Sequence, residues 1–137
     1  MSQGLEQLGR AVKQAQWRHH RAADTRLAKI GTTIVQWDAL RAIANNPGAS
    51  AHALAVETFQ SDQSFGTLAS RLVAQGWIDR RPGAGRKIEH RLTQAGERML
   101  AAGRAETAAV LEASFAPLDD GERRTLLDLL DRIGFVD

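Results

Sequence analysis

The spacing of apolar positions changes along this chain, and each change marks an element. Leu5, Leu8, Val12 and Ala15 recur every three or four residues, the period of one helix face. Thr32 or Thr33 opens a second helix with Ile34, Trp37, Leu40 and Ile43 on one stripe, and Asn45-Asn46-Pro47-Gly48 stops it. Ser50 can cap a short helix through Ala51, Leu54, Ala55 and Val56, followed by a turn around Thr58 to Gln60. Ser61 can cap another, with Asp62 in its positive first turn and Phe65, Leu68, Ala69 and Leu72 on one face, ended by Gly76. The period then shortens. From Trp77 to Leu92 two short runs flank Pro82-Gly83-Ala84-Gly85, and Ile88 alternates with polar neighbours, as in a hairpin strand with one buried face. Gly66 is the exception inside its helix, where it costs about 1 kcal/mol relative to Ala. Close packing against the preceding helix is the expected reason, with close approach of the backbone to a ligand as the other.

Helix, turn, helix and hairpin in this order make a winged helix-turn-helix, and charge then adds chemistry. Arg80, Arg81, Arg86, Lys87 and Arg91 oppose only Glu89 between positions 80 and 91. A protruding cationic hairpin suits a phosphate backbone or a minor groove. The polar face of the preceding helix carries Asp62, Gln63, Ser64, Thr67 and Ser70, with Arg71 further along. A merely solvated face more often carries Glu and Lys. Short polar groups instead match base edges, where Gln63 can make a bidentate contact to adenine and Asp62 can accept from cytosine. Double-stranded DNA is the expected partner.

The segment order extends to the chain ends. A helix through Trp37 and Leu40, the helix-turn-helix, Gly76-Trp77-Ile78-Asp79-Arg80-Arg81 entering a wing and Leu92-Thr93-Gln94-Ala95-Gly96 opening a long helix resemble the MarR-type (multiple antibiotic resistance regulator) transcription factors. The segment from Leu118 to Arg124, followed by Leu126, Leu127, Leu129, Leu130 and Ile133, is similar to the last helix of that family. The resemblance implies a mostly α fold with a small β-hairpin wing, in which residues 1–31 and 94–137 dimerise and 32–93 bind DNA. It further implies a homodimeric repressor of a pseudo-palindromic operator, released in many such proteins by a small molecule. The family's base-reading positions fall on Ser61, Asp62, Gln63, Ser64 and Thr67, a phosphate contact on Arg71 and the wing-tip arginine on Arg86. Family wings commonly hold that arginine with an Asp two residues earlier, and here that position is Ala84 in a shorter hairpin.

Dimerisation also follows from the ends themselves, because Leu5, Leu8 and Val12, with Ile133, Phe135 and Val136, leave apolar side chains where a small monomer has little to bury them. The formal net charge is +2, but Glu112, Asp119, Asp120, Glu122, Asp128, Asp131 and Asp137 bias the C-terminal region acidic, so the molecule is polarised away from the basic wing. Trp17, His20 and Asp24 share a face of the first helix, and Trp37 and Arg41 one of the second. A small aromatic or anionic effector held by His20 or Arg41 against Trp37 is the expected ligand, with Trp17 lining the same pocket.

The remaining classes fall away. At 137 residues the chain makes one domain, with no apolar run long enough for a membrane and no secretory signal, and a cytoplasmic location is expected. Without cysteine there is neither a disulfide nor thiol redox sensing. His19 and His20 are adjacent rather than three or four apart, so no metal is expected. No nucleophile elbow, phosphate loop or dinucleotide fingerprint points to an enzyme, and no cofactor is implied. Acidic Asp62 at the tip of the recognition helix keeps one alternative open, a winged-helix dimer serving as a protein-interaction scaffold without specific DNA binding.

Overall fold

A computed structural model describes residues 3–85 and 87–134; Arg86, Phe135 and Val136 lie outside the described residues. Along them run α1 (Gln3–Ala28), α2 (Ile34–Asn45), α3 (Ala51–Glu57), α4 (Asp62–Ala74), β1 (Ile78–Pro82), β2 (Ile88–Leu92), α5 (Gln94–Phe115) and α6 (Asp120–Arg132). Side-chain oxygens start most of the helices by accepting an otherwise orphaned amide: Thr33 from Gln36, Ser50 from Ala53, Ser61 from Ser64 and Thr93 from Gly96. Asp119 and Glu122 cap α6 reciprocally. Gly76, at φ +80°, ends α4 in a Schellman turn, its amide bonding the Val73 carbonyl while the Trp77 amide bonds that of Leu72.

The core forms around α2, which buries Gln36, Trp37, Ala39, Leu40, Ala42 and Ile43. Leu27 of α1, Leu54 of α3, Phe65 and Leu72 of α4, Ile78 of β1 and Leu100 of α5 complete it. Each such large apolar side chain contributes about 1.5–3 kcal/mol by leaving water. Trp37 donates its indole N–H to the Leu100 carbonyl at 3.0 Å, and a Cβ added at Gly103 would land on the Trp37 ring. Glycine at 103 therefore lets α5 lie directly on the tryptophan.

The hairpin pairs Ile78 with Leu92, Asp79 with Arg91, Arg80 with His90, Arg81 with Glu89 and Pro82 with Ile88. Its base is closed against α5: the Thr93 amide and hydroxyl donate to the carbonyls of Trp77 and Gly76, and Gly96 abuts the Trp77 carbonyl. Ile88, His90 and Leu92 share one face, as the alternation predicts. The buried residue there is His90, however, while Ile88 is 47% exposed, because the hairpin has already left the body of the protein at that point. A Cβ at Gly66 would meet no atom within 4 Å, so close packing against the preceding helix is not what this glycine provides.

Candidate nucleic-acid interface

Of the polar positions on α4, Gln63, Ser64, Thr67, Ser70 and Arg71 all face solvent. The structure divides their work. Ser61 spends its hydroxyl on the helix cap, and the Thr67 hydroxyl donates back to the Gln63 carbonyl at 3.2 Å. Gln63, Ser64 and Arg71 make no side-chain hydrogen bond or ion pair among the described residues, leaving an amide, a hydroxyl and a guanidinium directed outward. Asp62 meets His52 of α3, whose Nδ1 lies 2.9 and 3.2 Å from the two carboxylate oxygens. His52 has no periodic signal in the sequence that marks it as a partner, because the contact crosses the turn between two helices.

The wing is tied to the same helix. Arg80 donates from Nη2 to the Ser70 hydroxyl at 2.9 Å, which fixes β1 against α4. Arg81 lies 3.7 Å from Asp79, and Arg91 bonds Glu89 at 3.2 Å. With Asp79 opposite Arg91 and Arg81 opposite Glu89, four charges alternate on one face of the hairpin. Counting Asp79, just outside the basic run, lowers the cationic excess of the hairpin from +4 to +3. Lys87 stays exposed near the tip.

On the inner face, His90 fills the space between hairpin and helices. Its Nδ1 lies 3.3 Å from the Ala49 carbonyl, which can only accept, so this nitrogen carries the proton. Its ring meets Phe65 edge to face. Burial pulls its pKa below the ordinary 6.5, the Ala49 bond works against that, and Arg80 opposite lowers it further.

The turn between α3 and α4 holds the strained residue of this surface. Phe59 has φ +58° and is 95% exposed. A left-handed conformation costs a side-chain-bearing residue roughly 1–2 kcal/mol, and this is where glycine is normally found.

A second concavity, of about 390 Å³, lies between α1, α2 and α5 and is lined in part by His20, Trp37 and Arg41. Trp17 lies outside it. Helical geometry turns residue 17 away from the stripe of Gln16, His19, His20 and Ala23, and its exposed ring instead stacks under Arg21, 4.9 Å from the centroid. Ile34, Asp38, Thr107, Val110 and Leu111 complete the wall. The last three are on α5, which no local pattern connects to α1. Arg41 is held by Asp38 at 2.7 Å, and His20 by Asp24 at 3.2 Å; Asp24 also accepts the Ile34 amide at the start of α2.

Residues 30–87 match the sequence profile of the MarR family. The winged lobe is thus similar to the MarR family. That family is one of transcriptional regulators, and the MarR-type fold extends over nearly the whole chain. A probable transcriptional regulator from Pseudomonas aeruginosa superposes with a TM-score of 0.82 at 28% identity, over 92% of this chain and 96% of its own. A mutant MarR from Escherichia coli in complex with operator DNA gives 0.87 at 20% identity, over 94% of each chain. A MarR family protein of Mycobacterium tuberculosis in complex with salicylic acid gives 0.73 at 22%, over 93% of this chain and 96% of its own. No curated protein matches the sequence. No helix among the described residues is long and apolar enough to cross a membrane.

Proposed function

We propose that this chain is a homodimeric repressor that reads a pseudo-palindromic operator, with residues 32–93 as the reading lobe and residues 1–31 and 94–137 as the dimerisation helices. The observation that carries this is the union of a free polar helix face with a cationic hairpin: Gln63, Ser64 and Arg71 project from α4, and Arg80 locks the wing to that helix through Ser70. Gln63 and Ser64 contact base edges beside Asp62, Ser61 and Thr67, Arg71 a phosphate, and Arg80, Arg81, Arg86 and Lys87 the flanking backbone or minor groove. Half-sites then lie about one helical turn apart, roughly 10 bp. The relative solved with operator DNA supports this reading. The His52 contact weakens the case for a scaffold, since the Asp62 carboxylate is engaged within the chain.

A small aromatic acid is the effector this reading favours, seated against Trp37 with its carboxylate on His20 or on Arg41. At Arg41 it competes with Asp38, so binding there rearranges the ion pair on α2. The relative holding salicylic acid supports that ligand class. Tryptophan fluorescence titrated with a panel of aromatic acids tests it; a flat response to all of them counts against the pocket.

The decisive test is selection from a random duplex library at moderate salt, with Arg71→Ala beside the wild type. A pseudo-palindrome enriched by the wild type and lost or weakened in the variant supports the regulator; binding without enrichment indicates non-specific association, and no binding returns the scaffold to the front.

A further inference from the structure

Phe59 combines two unfavourable features: a left-handed turn that caps α3, where its amide bonds the Val56 carbonyl and the Gln60 amide that of Ala55, and an exposed aromatic ring that the cap does not use. Its backbone is left-handed at φ +58°, and its ring, 95% exposed, covers nothing. A glycine would remove the first, and a polar side chain the second. A phenylalanine kept at a cap that glycine would form at less cost points to a contact made outside the free chain.

The location narrows what that contact is. Phe59 stands two residues before Ser61, the cap of α4, and its amide bonds the Val56 carbonyl. Val56, also exposed, shares a face of α3 with His52 one turn earlier, and His52 reaches Asp62 in the first turn of α4. The side of α3 that leads to Phe59 is therefore the side that meets the start of the recognition helix. In the major groove, thymine is the base that presents an apolar group, its C5-methyl, and phenylalanine is among the side chains suited to it.

We propose that Phe59 is a specificity-determining residue that packs its ring on a thymine methyl at the edge of each half-site. This rests on the DNA-reading function proposed above. Phe59 precedes the Ser61 cap of α4 by two residues, so the site it reads lies beside the bases reached by Gln63 and Ser64.

The test begins with selection of operators by wild type, Arg71→Ala and Phe59→Gly in parallel. If the wild type enriches no motif, the DNA reading itself fails, and this inference with it. If it does, the selected operator is remade with single thymine-to-deoxyuridine replacements, each of which deletes one methyl. The expected result is one thymine per half-site whose replacement weakens wild-type binding about fourfold, the worth of one buried methyl, with no effect on Phe59→Gly. The variant's own thermal midpoint should stay level or rise, because glycine accepts the left-handed turn. Equal operator preference and affinity for wild type and Phe59→Gly would overturn the proposal. So would a variant weakened equally on every replaced operator, or one whose melting temperature falls, since the ring would then serve the backbone contact or the fold.

Discussion

His90 is 2% exposed between the hairpin and Phe65, with its proton committed to Ala49. A second proton would place a charge in that space beside Arg80. Its folded pKa lies below the ordinary 6.5 of the unfolded chain. The unfolded state therefore binds more protons between those two values, and the contribution to stability is complete above about pH 6.5 and lost as the pH falls through the folded pKa. Melting temperatures from pH 7.5 to 5 should fall in the wild type and vary less in His90→Gln, which keeps a donor for Ala49 but does not titrate in this range. Parallel curves for the two proteins would place the acid sensitivity elsewhere. Gly66 gives the opposite kind of prediction. With open space around it, Gly66→Ala should stabilise the free protein by about 1 kcal/mol in urea unfolding. If the backbone there approaches DNA, the same change weakens operator binding; a stabilised variant with unchanged affinity would leave this glycine without a functional reason.

At the scale of elements, the Arg80 to Ser70 bond makes the wing and α4 move together. Ser70→Ala removes the anchor without touching a charge, whereas Arg80→Ala removes both anchor and charge. Operator affinity should drop in both, but only Arg80→Ala should reduce the salt dependence, by about one counterion per wing. A shallower salt slope in Ser70→Ala would mean that the hydroxyl orders other cations as well. The elements themselves were legible because their signals are local: Thr33, Ser50, Ser61 and Thr93 each bond an amide three residues on. The candidate site was legible wherever it lies on one element, as the outward side chains of α4 do. It was obscured where two elements meet. His52 and Asp62 touch across a turn, Arg80 and Ser70 across helix and strand, and the cavity wall of Thr107, Val110 and Leu111 comes from a helix distant in sequence. Trp17 misleads because sharing a helix with His20 does not place both side chains in one cavity.

At the scale of the molecule, α6 is an unfinished element. It is 13 residues long and buries none of them, and Leu127, Leu129, Leu130 and Ile133 are all more than two-fifths exposed. An isolated helix shorter than about 12–15 residues is marginal in water, and a capping box adds only about 1 kcal/mol. The helix therefore needs a cover, and Leu5, Leu8 and Val12 of α1 offer an apolar surface of the same kind that is equally bare in one copy. In the proposed homodimer these surfaces cover each other, so folding of α6 and association become one equilibrium. Replacing Leu127 and Leu130 by Arg should yield a monomer in sedimentation. Its circular dichroism should lose about the signal of α6, while Trp37, locked on Leu100 and Gly103 of α5, keeps its buried emission. Operator affinity should collapse towards that of one half-site, because the second lobe is no longer held at a fixed distance. A monomer with full helical signal would show that α6 is stable alone, and a variant that remains dimeric would move the interface away from this helix.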